Sequence, residues 1–145
     1  MKKEIDPRMH SAEHILNKAM VRKFGCARAF STHIEKKKSK CDYLLDKEPS
    51  QEEIGAIERR VNEIINLDLA VTEEFLSKKE AETRYSLERL PQNTGQMIRI
   101  IHTGDYDACP CIGTHVQSTG EIGHFEIASY SYENKRLRIR YRLRG

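Results

Sequence analysis

The last nine residues before the terminal glycine alternate strictly between arginine and large apolar side chains. The arginines are Arg136, Arg138, Arg140, Arg142 and Arg144, and the apolar residues are Leu137, Ile139, Tyr141 and Leu143. Because successive side chains of a β-strand point to opposite faces, the pattern predicts a strand with one apolar and one cationic face. Arginine on a rigid strand suits contacts with phosphate groups. The competing interpretation is a solvated edge that discourages pairing with other strands.

Two amphipathic segments predict the main helices. The first has Asp6 as N-cap, Pro7 at its first position and Gly25 as C-terminal stop, which predicts a helix over about residues 7–24. The second opens with a capping box at residues 50–53. It continues with apolar residues at helical spacing, namely Ile54, Ile57, Val61, Ile64 and Ile65. A similar capping pattern at Ser77 predicts a short helix.

The segments between these helices predict the strands and the fold class. The expected strands cover about residues 27–34, 40–46, 69–76, 97–103, 122–130 and 136–144, and residues 91–95 are expected to form a loop. Together the elements predict an α+β fold in which a mostly antiparallel sheet packs with two main helices. A length of 145 residues fits one domain, so a single domain is expected over residues 1–145.

The composition limits the class of protein. Hydrophobic residues make up 38% of the chain and charged residues 32%, as in soluble globular domains. No apolar run is long enough to span a bilayer, and no apolar signal segment follows the first residues, so a cytoplasmic location is expected. Four cysteines in that compartment are expected to be free or metal-bound rather than joined in disulfides.

Two pairs of residues predict a metal site. His10 and His14 lie four residues apart on the first predicted helix, so their imidazoles share one face. Cys111 and His115 have the same spacing in a turn-rich segment, where Gly113 is expected to let the chain turn sharply. One thiolate and three imidazoles complete a tetrahedral zinc site.

The metal site leaves two alternatives open. Cys109 competes with Cys111 for the role of thiolate, and it ranks lower because its spacing to His115 differs from the four-residue pattern. A zinc ion with four protein ligands has a closed tetrahedron, so catalysis requires a displaceable ligand or a fifth coordination position. A purely structural zinc is the other interpretation, although a domain of this size does not need a metal in order to fold.

The positive charge of the chain is clustered, although the net charge is only +3. One cluster consists of Lys36, Lys37, Lys38 and Lys40. The other consists of Lys135 and the C-terminal arginines. The ordinary interpretation of such runs is a solvated surface.

Three motifs in this order resemble the editing domain shared by alanyl- and threonyl-tRNA synthetases, whose stand-alone versions are called AlaX proteins. The motifs are His10-Ser-Ala-Glu-His14, Cys111-Ile-Gly-Thr-His115-Val and Thr119-Gly-Glu-Ile-Gly123. Residues 49–54 and 57–65 look like the second helix of that domain, and the resemblance covers nearly the whole chain. Because an aminoacylation domain does not fit into 145 residues, the stand-alone form is implied.

The resemblance implies a zinc-dependent hydrolase that removes a wrongly attached amino acid from the 3′ end of tRNA. The implied substrate is Ser-tRNA(Ala), with Gly-tRNA(Ala) as a second candidate, because an alanine pocket cannot exclude serine or glycine by binding energy alone. Threonyl-type editing also removes serine, so the cognate tRNA stays open. The implied zinc ligands are His10, His14, Cys111 and His115.

The resemblance also places an amino-acid pocket. The turn from Thr119 to Gly123 would line it through Thr119, Gly120 and Gly123. Two positions depart from the family pattern: Ile112 stands where the family often has glycine, and Ala29 aligns with a position that usually carries a hydroxyl group facing the pocket. The next hydroxyl residues along the chain are Ser31 and Thr32.

No general base stands out in the sequence. The candidates for assisting the attack of water on the ester are His33 and Glu121. The candidates for contacts with acceptor-stem phosphates are Lys36, Lys37, Lys38, Arg138 and Arg140, and such contacts predict that tRNA affinity falls steeply with salt. Two rival functions stay open: a non-catalytic, zinc-stapled module that binds tRNA or protein, and a zinc hydrolase acting on a small metabolite.

Overall fold

The computed structural model describes residues 6–87, 90 and 96–144. Its elements follow the chain as α1 (Pro7–Phe24), β1 (Ser31–His33), β2 (Ser39–Leu44), α2 (Gln51–Asn66), β3 (Val71–Ser77), α3 (Lys78–Arg84), β4 (Met97–Thr103), β5 (Asp107–Pro110), a 3₁₀ helix (Thr119–Ile122), β6 (His124–Glu133) and β7 (Arg136–Arg144). The loop predicted over residues 91–95 lies outside the described residues.

The strands form two antiparallel sheets. The first has the order β1-β2-β7-β6, and the second has the order β3-β4-β5. The α+β class, the antiparallel pairing and the two main helices are confirmed. The sequence did not predict the division into two sheets or strand β5, which follows β4 after a turn in which Gly104 adopts φ +51°.

Helix α1 begins and ends at its predicted capping residues. The Asp6 carboxylate accepts hydrogen bonds from the backbone N–H groups of Arg8 and Met9, at 2.9 and 3.1 Å. At the other end Gly25 adopts the left-handed conformation with φ 66°, and its N–H donates to the carbonyl of Val21. Both ends of the helix are therefore fixed by local chemistry.

Part of the buried surface of α1 is polar, beside the apolar residues that it adds to the core. This polar part contains His10, Ser11, Glu13, His14 and Asn17. Buried polar groups require hydrogen-bond partners, and here both sheets provide them. Asn17 accepts from the Tyr43 hydroxyl of β2 at 2.8 Å, and His14 lies beside Cys109 of β5. Helix α1 therefore contacts both sheets and carries a polar site between them.

The main hydrophobic core lies between the two long helices and the first sheet. Its largest fully buried members include Tyr43, Phe125 and Tyr141. The predicted two-faced strand is confirmed in β7, since Leu137, Ile139 and Tyr141 are fully buried and the arginines lie on the opposite face. A smaller cluster joins α3 to the second sheet and contains Leu76, Ala81, Ile98 and Ile100. None of the helices described is long and apolar enough to cross a lipid bilayer.

Strand β1 is shorter than predicted. It covers only Ser31–His33, three residues of the predicted segment 27–34. Just before the strand, the Phe30 N–H donates to the Asp42 carbonyl of β2 at 2.9 Å, and the Ala29 N–H donates to Asn17 Oδ1 of α1 at 3.2 Å. The same oxygen accepts from the Tyr43 hydroxyl. The segment before β1 is therefore held by a side chain of the helix.

Candidate metal centre

The four predicted ligands converge at one point. His10 and His14 lie one turn apart on α1, and Cys111 and His115 lie in the loop after β5. One ligand atom from each residue lies within 4.8 Å of the others. Cys111 Sγ lies 3.4 Å from His10 Nε2 and 3.5 Å from His115 Nε2. Zinc bonds of about 2.3 Å to sulfur and about 2.0–2.1 Å to nitrogen give a tetrahedral S–N edge of about 3.6 Å, so these side chains fit a zinc ion.

Hydrogen bonds orient two of the imidazoles toward this centre. His10 Nδ1 lies 3.2 Å from the carbonyl oxygen of Thr114. Since a carbonyl only accepts, His10 carries its proton on Nδ1 and directs the lone pair of Nε2 at the site. His115 Nδ1 lies 2.9 Å from the Ser11 hydroxyl, which leaves its Nε2 facing Cys111. Such partners on the far nitrogen are the usual way in which proteins orient metal-binding histidines.

Burial sets the protonation of the two loop residues. Burial, with smaller contributions from the neighbouring His10 and Arg99, lowers the pKa of His115 to about 3. The imidazole is therefore neutral near pH 7 and has a lone pair for a metal. Burial raises the pKa of Cys111, against the effect of the Gly113 N–H that donates to its sulfur at 3.5 Å. A metal needs the thiolate form, so metal binding at this residue releases a proton.

The loop after β5 is shaped by the close approach of His10 to Gly113 and by hydrogen bonds from Arg99. A Cβ atom at Gly113 would lie 2.3 Å from His10 Cε1. The sequence suggested a sharp turn as the reason for this glycine, but its φ is not positive, and the close approach of His10 is what requires it. Arg99 of β4 donates to the carbonyls of Cys111 and Gly113, at 3.2 and 2.6 Å, and its Nε donates to Glu73. The second sheet therefore holds the loop in place.

A second cluster of potential ligands overlaps the first at His14. It adds Asp107 and Cys109 of β5, and one ligand atom from each residue again lies within 4.8 Å of the others. Cys109 Sγ lies 3.2 Å from His14 Nδ1. Burial raises the pKa of Cys109, so this thiol is protonated at neutral pH. Cys109 thus lies beside His14 but outside the group that Cys111 completes.

The comparison with known proteins points to one family of domains. A family model described as the threonyl and alanyl tRNA synthetase second additional domain matches residues 98–140, which include Cys111 and His115. The alanine–tRNA ligase of Coxiella burnetii (strain Dugway 5J108-111) is 35% identical over 125 residues, covering 86% of this chain and 14% of the ligase. The ligase of Methanopyrus kandleri is 34% identical over 123 residues (83% and 13%), and that of Fervidobacterium nodosum is 32% identical over 132 residues (90% and 15%).

This chain is a relative of the editing domain of alanyl-tRNA synthetases. The resemblance seen in the sequence motifs is thereby confirmed. The chain spans 13–15% of the length of these three ligases. The relationship therefore concerns one domain of those proteins.

The turn from Thr119 to Gly123, which the resemblance places at the amino-acid pocket, is held by hydrogen bonds to other parts of the protein. Thr119 is fully buried, and its hydroxyl donates to carbonyl groups at the end of α2 and accepts from the Leu69 N–H at 2.8 Å. The Gly120 N–H donates to an aspartate carboxylate at 3.0 Å, and Gly123 follows the 3₁₀ helix with φ 88°. The Glu121 carboxylate accepts from the two backbone N–H groups just before the helix, at 3.1 and 2.9 Å. These contacts stabilise the turn.

The other editing-domain candidates lie on or just before β1. Ala29 is 1% exposed and belongs to the main core, whereas Ser31 is exposed and Thr32 is half-buried. His33 is exposed, and its Nε2 lies 3.4 Å from Glu35 Oε1. His33 and Glu121 are the two residues predicted to assist the attacking water. Neither belongs to the cluster of four potential ligands. The side-chain hydroxyl groups on β1 are those of Ser31 and Thr32.

The predicted phosphate-binding residues lie around β2 and β7. Residues 36–38 are exposed in the connection from β1 to β2. Arg138 forms a two-point ion pair with Asp42, at 2.8 and 3.0 Å, and this hydrogen bonding lowers the pKa of Asp42. Arg140 lies opposite Lys40 in the strand register and donates to Ser129 Oγ at 3.4 Å. Within the described ranges no carboxylate pairs with Arg140, so its charge is available to a ligand.

Sequence reasoning missed the residues that support the ligands. Ser11 lies inside the first motif, and its position between two candidate ligands is the signal that it contacts the site. Arg99 interrupts the apolar run Met97–Ile101 of β4, which indicates a specific partner for its charge. Arg28 donates a hydrogen bond to Asp107, which lies 79 residues further along the chain. No sequence pattern links residues so far apart.

Proposed function

We propose that this protein is a cytoplasmic deacylase that hydrolyses the ester bond of mischarged tRNA in trans. The proposed substrate is Ser-tRNA(Ala), with Gly-tRNA(Ala) as a second one. The observation that carries the proposal is the convergence of His10, His14, Cys111 and His115 at zinc spacing in a relative of an editing domain. Such a site serves fidelity because binding energy alone separates serine from alanine poorly.

The burial of the four side chains supports a proposal for the side from which substrate enters. His10 and His14 are buried on α1, whereas Cys111 and His115 are only half-buried. A zinc ion held by these four side chains would supply Lewis-acid polarisation of the ester carbonyl. Since four protein ligands close a tetrahedron, substrate requires a displaced ligand or a fifth position. Solvent reaches the loop residues more readily, so we place the ester on the side of the loop after β5.

The hydrogen bonds around the site keep its groups in fixed positions. Thr114 and Ser11 hold the imidazoles of His10 and His115, and Arg99 holds the backbone of the loop. A misplacement of about 1 Å in such a site costs up to about 100-fold in rate. The proposed hydrolysis therefore depends on these supports as well as on the ligands. His33 and Glu121 stay proposals as groups that assist the attacking water.

The amino-acid pocket is proposed to form between the metal centre and β1. Ala29 contributes a methyl group that is buried in the main core, and Ser31 and Thr32 contribute hydroxyl groups. A polar group that bonds the serine hydroxyl would distinguish serine from alanine in the direction that editing requires. The 3₁₀ turn that contains Thr119, Gly120 and Gly123 is proposed as the opposite wall of this pocket.

The body of the tRNA is proposed to bind through the basic surface. Residues 36–38 project from the connection before β2, and Arg140 lies on β7 next to that strand. Arg138 also lies on β7, but it must leave its ion pair with Asp42 in order to contact a phosphate. The register places Lys40 opposite Arg140, so positive charge continues from one group to the other. Phosphate contacts of this kind give affinity and orientation but do not read sequence.

The test is a deacylation assay of the purified protein with Ser-tRNA(Ala), Gly-tRNA(Ala), Ala-tRNA(Ala) and Ser-tRNA(Thr). Serine should leave tRNA(Ala) rapidly while alanine is retained, and the Cys111→Ser variant should release no more than buffer does. Release from Ser-tRNA(Thr) alone would assign the threonyl type of editing instead. No turnover of any of the four by protein shown to contain zinc would refute the proposal and favour the non-catalytic binding module.

A further inference from the structure

A buried hydrogen-bonded cluster lies against His14. Asp107 is 4% exposed and Cys109 is 9% exposed, and both belong to β5. Cys109 Sγ lies 3.2 Å from His14 Nδ1 but 3.9 Å from Nε2, and Asp107 Oδ2 lies 4.0 Å from the same Nδ1. The cluster therefore packs against the His14 ring, with Nδ1 the nearer of its two nitrogens.

Arg28 supplies the positive charge of this cluster. Its Nη1 donates to Asp107 Oδ1 at 2.8 Å. Its Nη2 donates to Asp107 Oδ2 at 3.3 Å and to Cys109 Sγ at 3.4 Å. A two-point contact between guanidinium and carboxylate fixes the plane of the carboxylate as well as its charge. Two of the three potential ligands of the cluster are thus already bound by a cation of the protein itself.

We propose that Arg28 and Asp107 are positioning residues of the metal centre. Arg28 locks Asp107 and Cys109 against the Nδ1 edge of His14, and this turns the Nε2 of His14 toward the ion. Asp107 and Cys109 are therefore not ligands of a second ion, and each chain binds one zinc. The inference rests on the metal centre of the proposed function but not on the identity of the tRNA substrate.

The assignment gives each histidine a different partner on Nδ1. His10 has the Thr114 carbonyl, His115 has the Ser11 hydroxyl, and His14 has the cluster locked by Arg28. Removing a partner of this kind weakens metal binding about 10- to 100-fold, because the ring loses its fixed orientation and part of its basicity. The effect on affinity separates a positioning role from a contribution to folding alone.

The first experiment compares Asp107→Asn with Asp42→Asn as a matched control. Both aspartates are 4% exposed and each accepts a two-point ion pair from an arginine, but Asp42 lies on β2 and pairs with Arg138. Zinc affinity is measured by competition with a chromophoric chelator, and the stability of each metal-free variant is measured in urea. We expect zinc to bind Asp107→Asn about 10- to 100-fold more weakly, and to bind Asp42→Asn as tightly as the unaltered protein.

The outcomes separate this inference from the proposal on which it rests. Equal zinc affinity of the two variants overturns the positioning role. Failure of the unaltered protein to bind zinc refutes the metal centre itself. If Asp107→Asn does not fold, Arg28→Lys gives the same test, since lysine keeps the charge but lacks the two-point geometry. Zinc affinity of Arg28→Lys equal to that of the unaltered protein likewise overturns the inference.

Cobalt(II) in place of zinc gives a spectroscopic test of the ligand set. The thiolate-to-cobalt charge-transfer band should remain in Cys109→Ser and disappear in Cys111→Ser, because only Cys111 is assigned as a ligand. The titration should end at one equivalent of cobalt per chain. Loss of the band in Cys109→Ser, or an end point of two equivalents, overturns the inference.

Discussion

Replacing Gly113 with alanine places a methyl group inside the metal centre. The added Cβ would lie 2.3 Å from His10 Cε1 and 2.6 Å from His10 Nδ1, whereas ordinary van der Waals contact begins near 3.4 Å. The imidazole must therefore retreat by about 1.1 Å, the difference between these two distances. The retreat would break the hydrogen bond from His10 Nδ1 to the Thr114 carbonyl and would move Nε2 away from Cys111 Sγ.

The expected effect of Gly113→Ala is a loss of zinc affinity. Loss of an orienting partner alone weakens metal binding about 10- to 100-fold. That range corresponds to about 1.4–2.7 kcal/mol, and displacement of the ligand itself adds to it. The assay is competition for zinc with a chromophoric chelator, followed by deacylation at saturating zinc.

Gly55→Ala is the matched control for this prediction. Gly55 lies within α2, and an added Cβ there meets the flexible end of Arg59 at 3.4 Å. Alanine in a helix interior is favoured over glycine by about 0.5–1 kcal/mol, so this variant should be more stable in urea with unchanged zinc affinity. Wild-type zinc affinity in Gly113→Ala would refute the assignment of His10 as a ligand in the observed geometry.

Two further predictions concern the fold and the tRNA surface. Thr119→Val removes a hydroxyl that bonds the end of α2 and the Leu69 N–H, so urea denaturation should show a loss of about 1–3 kcal/mol without a change in zinc affinity. An unchanged unfolding free energy would contradict that structural role. Arg140→Ala should weaken tRNA binding and reduce the slope of log affinity against log salt by about 1. Arg142→Ala should change the slope less, because Arg142 already pairs with Glu126, and equal effects of the two variants would contradict the phosphate contact.

The sequence predicted the bounds of the elements whose local signals, such as caps or alternation, extend over their whole length. Helix α1 has a capping residue at each end, and its bounds of Pro7–Phe24 are the predicted ones. Strand β7 alternates without interruption, and its bounds are also as predicted. The four-residue spacing of the ligands is equally local, because it places two side chains on one face of one turn. These features do not depend on distant parts of the chain.

The features that the sequence did not reveal depend on long-range contacts. Strand β5 has only four residues, which are too few for a periodic pattern, and its identity follows from pairing with β4. Strand β1 covers only three residues, and the Ala29 N–H before it bonds a side chain of α1. Likewise, the supports of the ligands come from separate elements: Arg99 from β4, and Arg28 and Asp107 from segments 79 residues apart.

The central claim is that the four converging side chains hold a zinc ion that the proposed hydrolysis requires. The most direct measurement removes the metal with a chelator and follows both serine release from Ser-tRNA(Ala) and the circular dichroism of the protein. Since the main hydrophobic core is built from residues other than the four ligands, the helical signal should persist, activity should disappear, and one equivalent of zinc should restore it. Undiminished serine release by protein shown to be free of metal would contradict the claim, and unfolding on chelation would show a structural zinc instead.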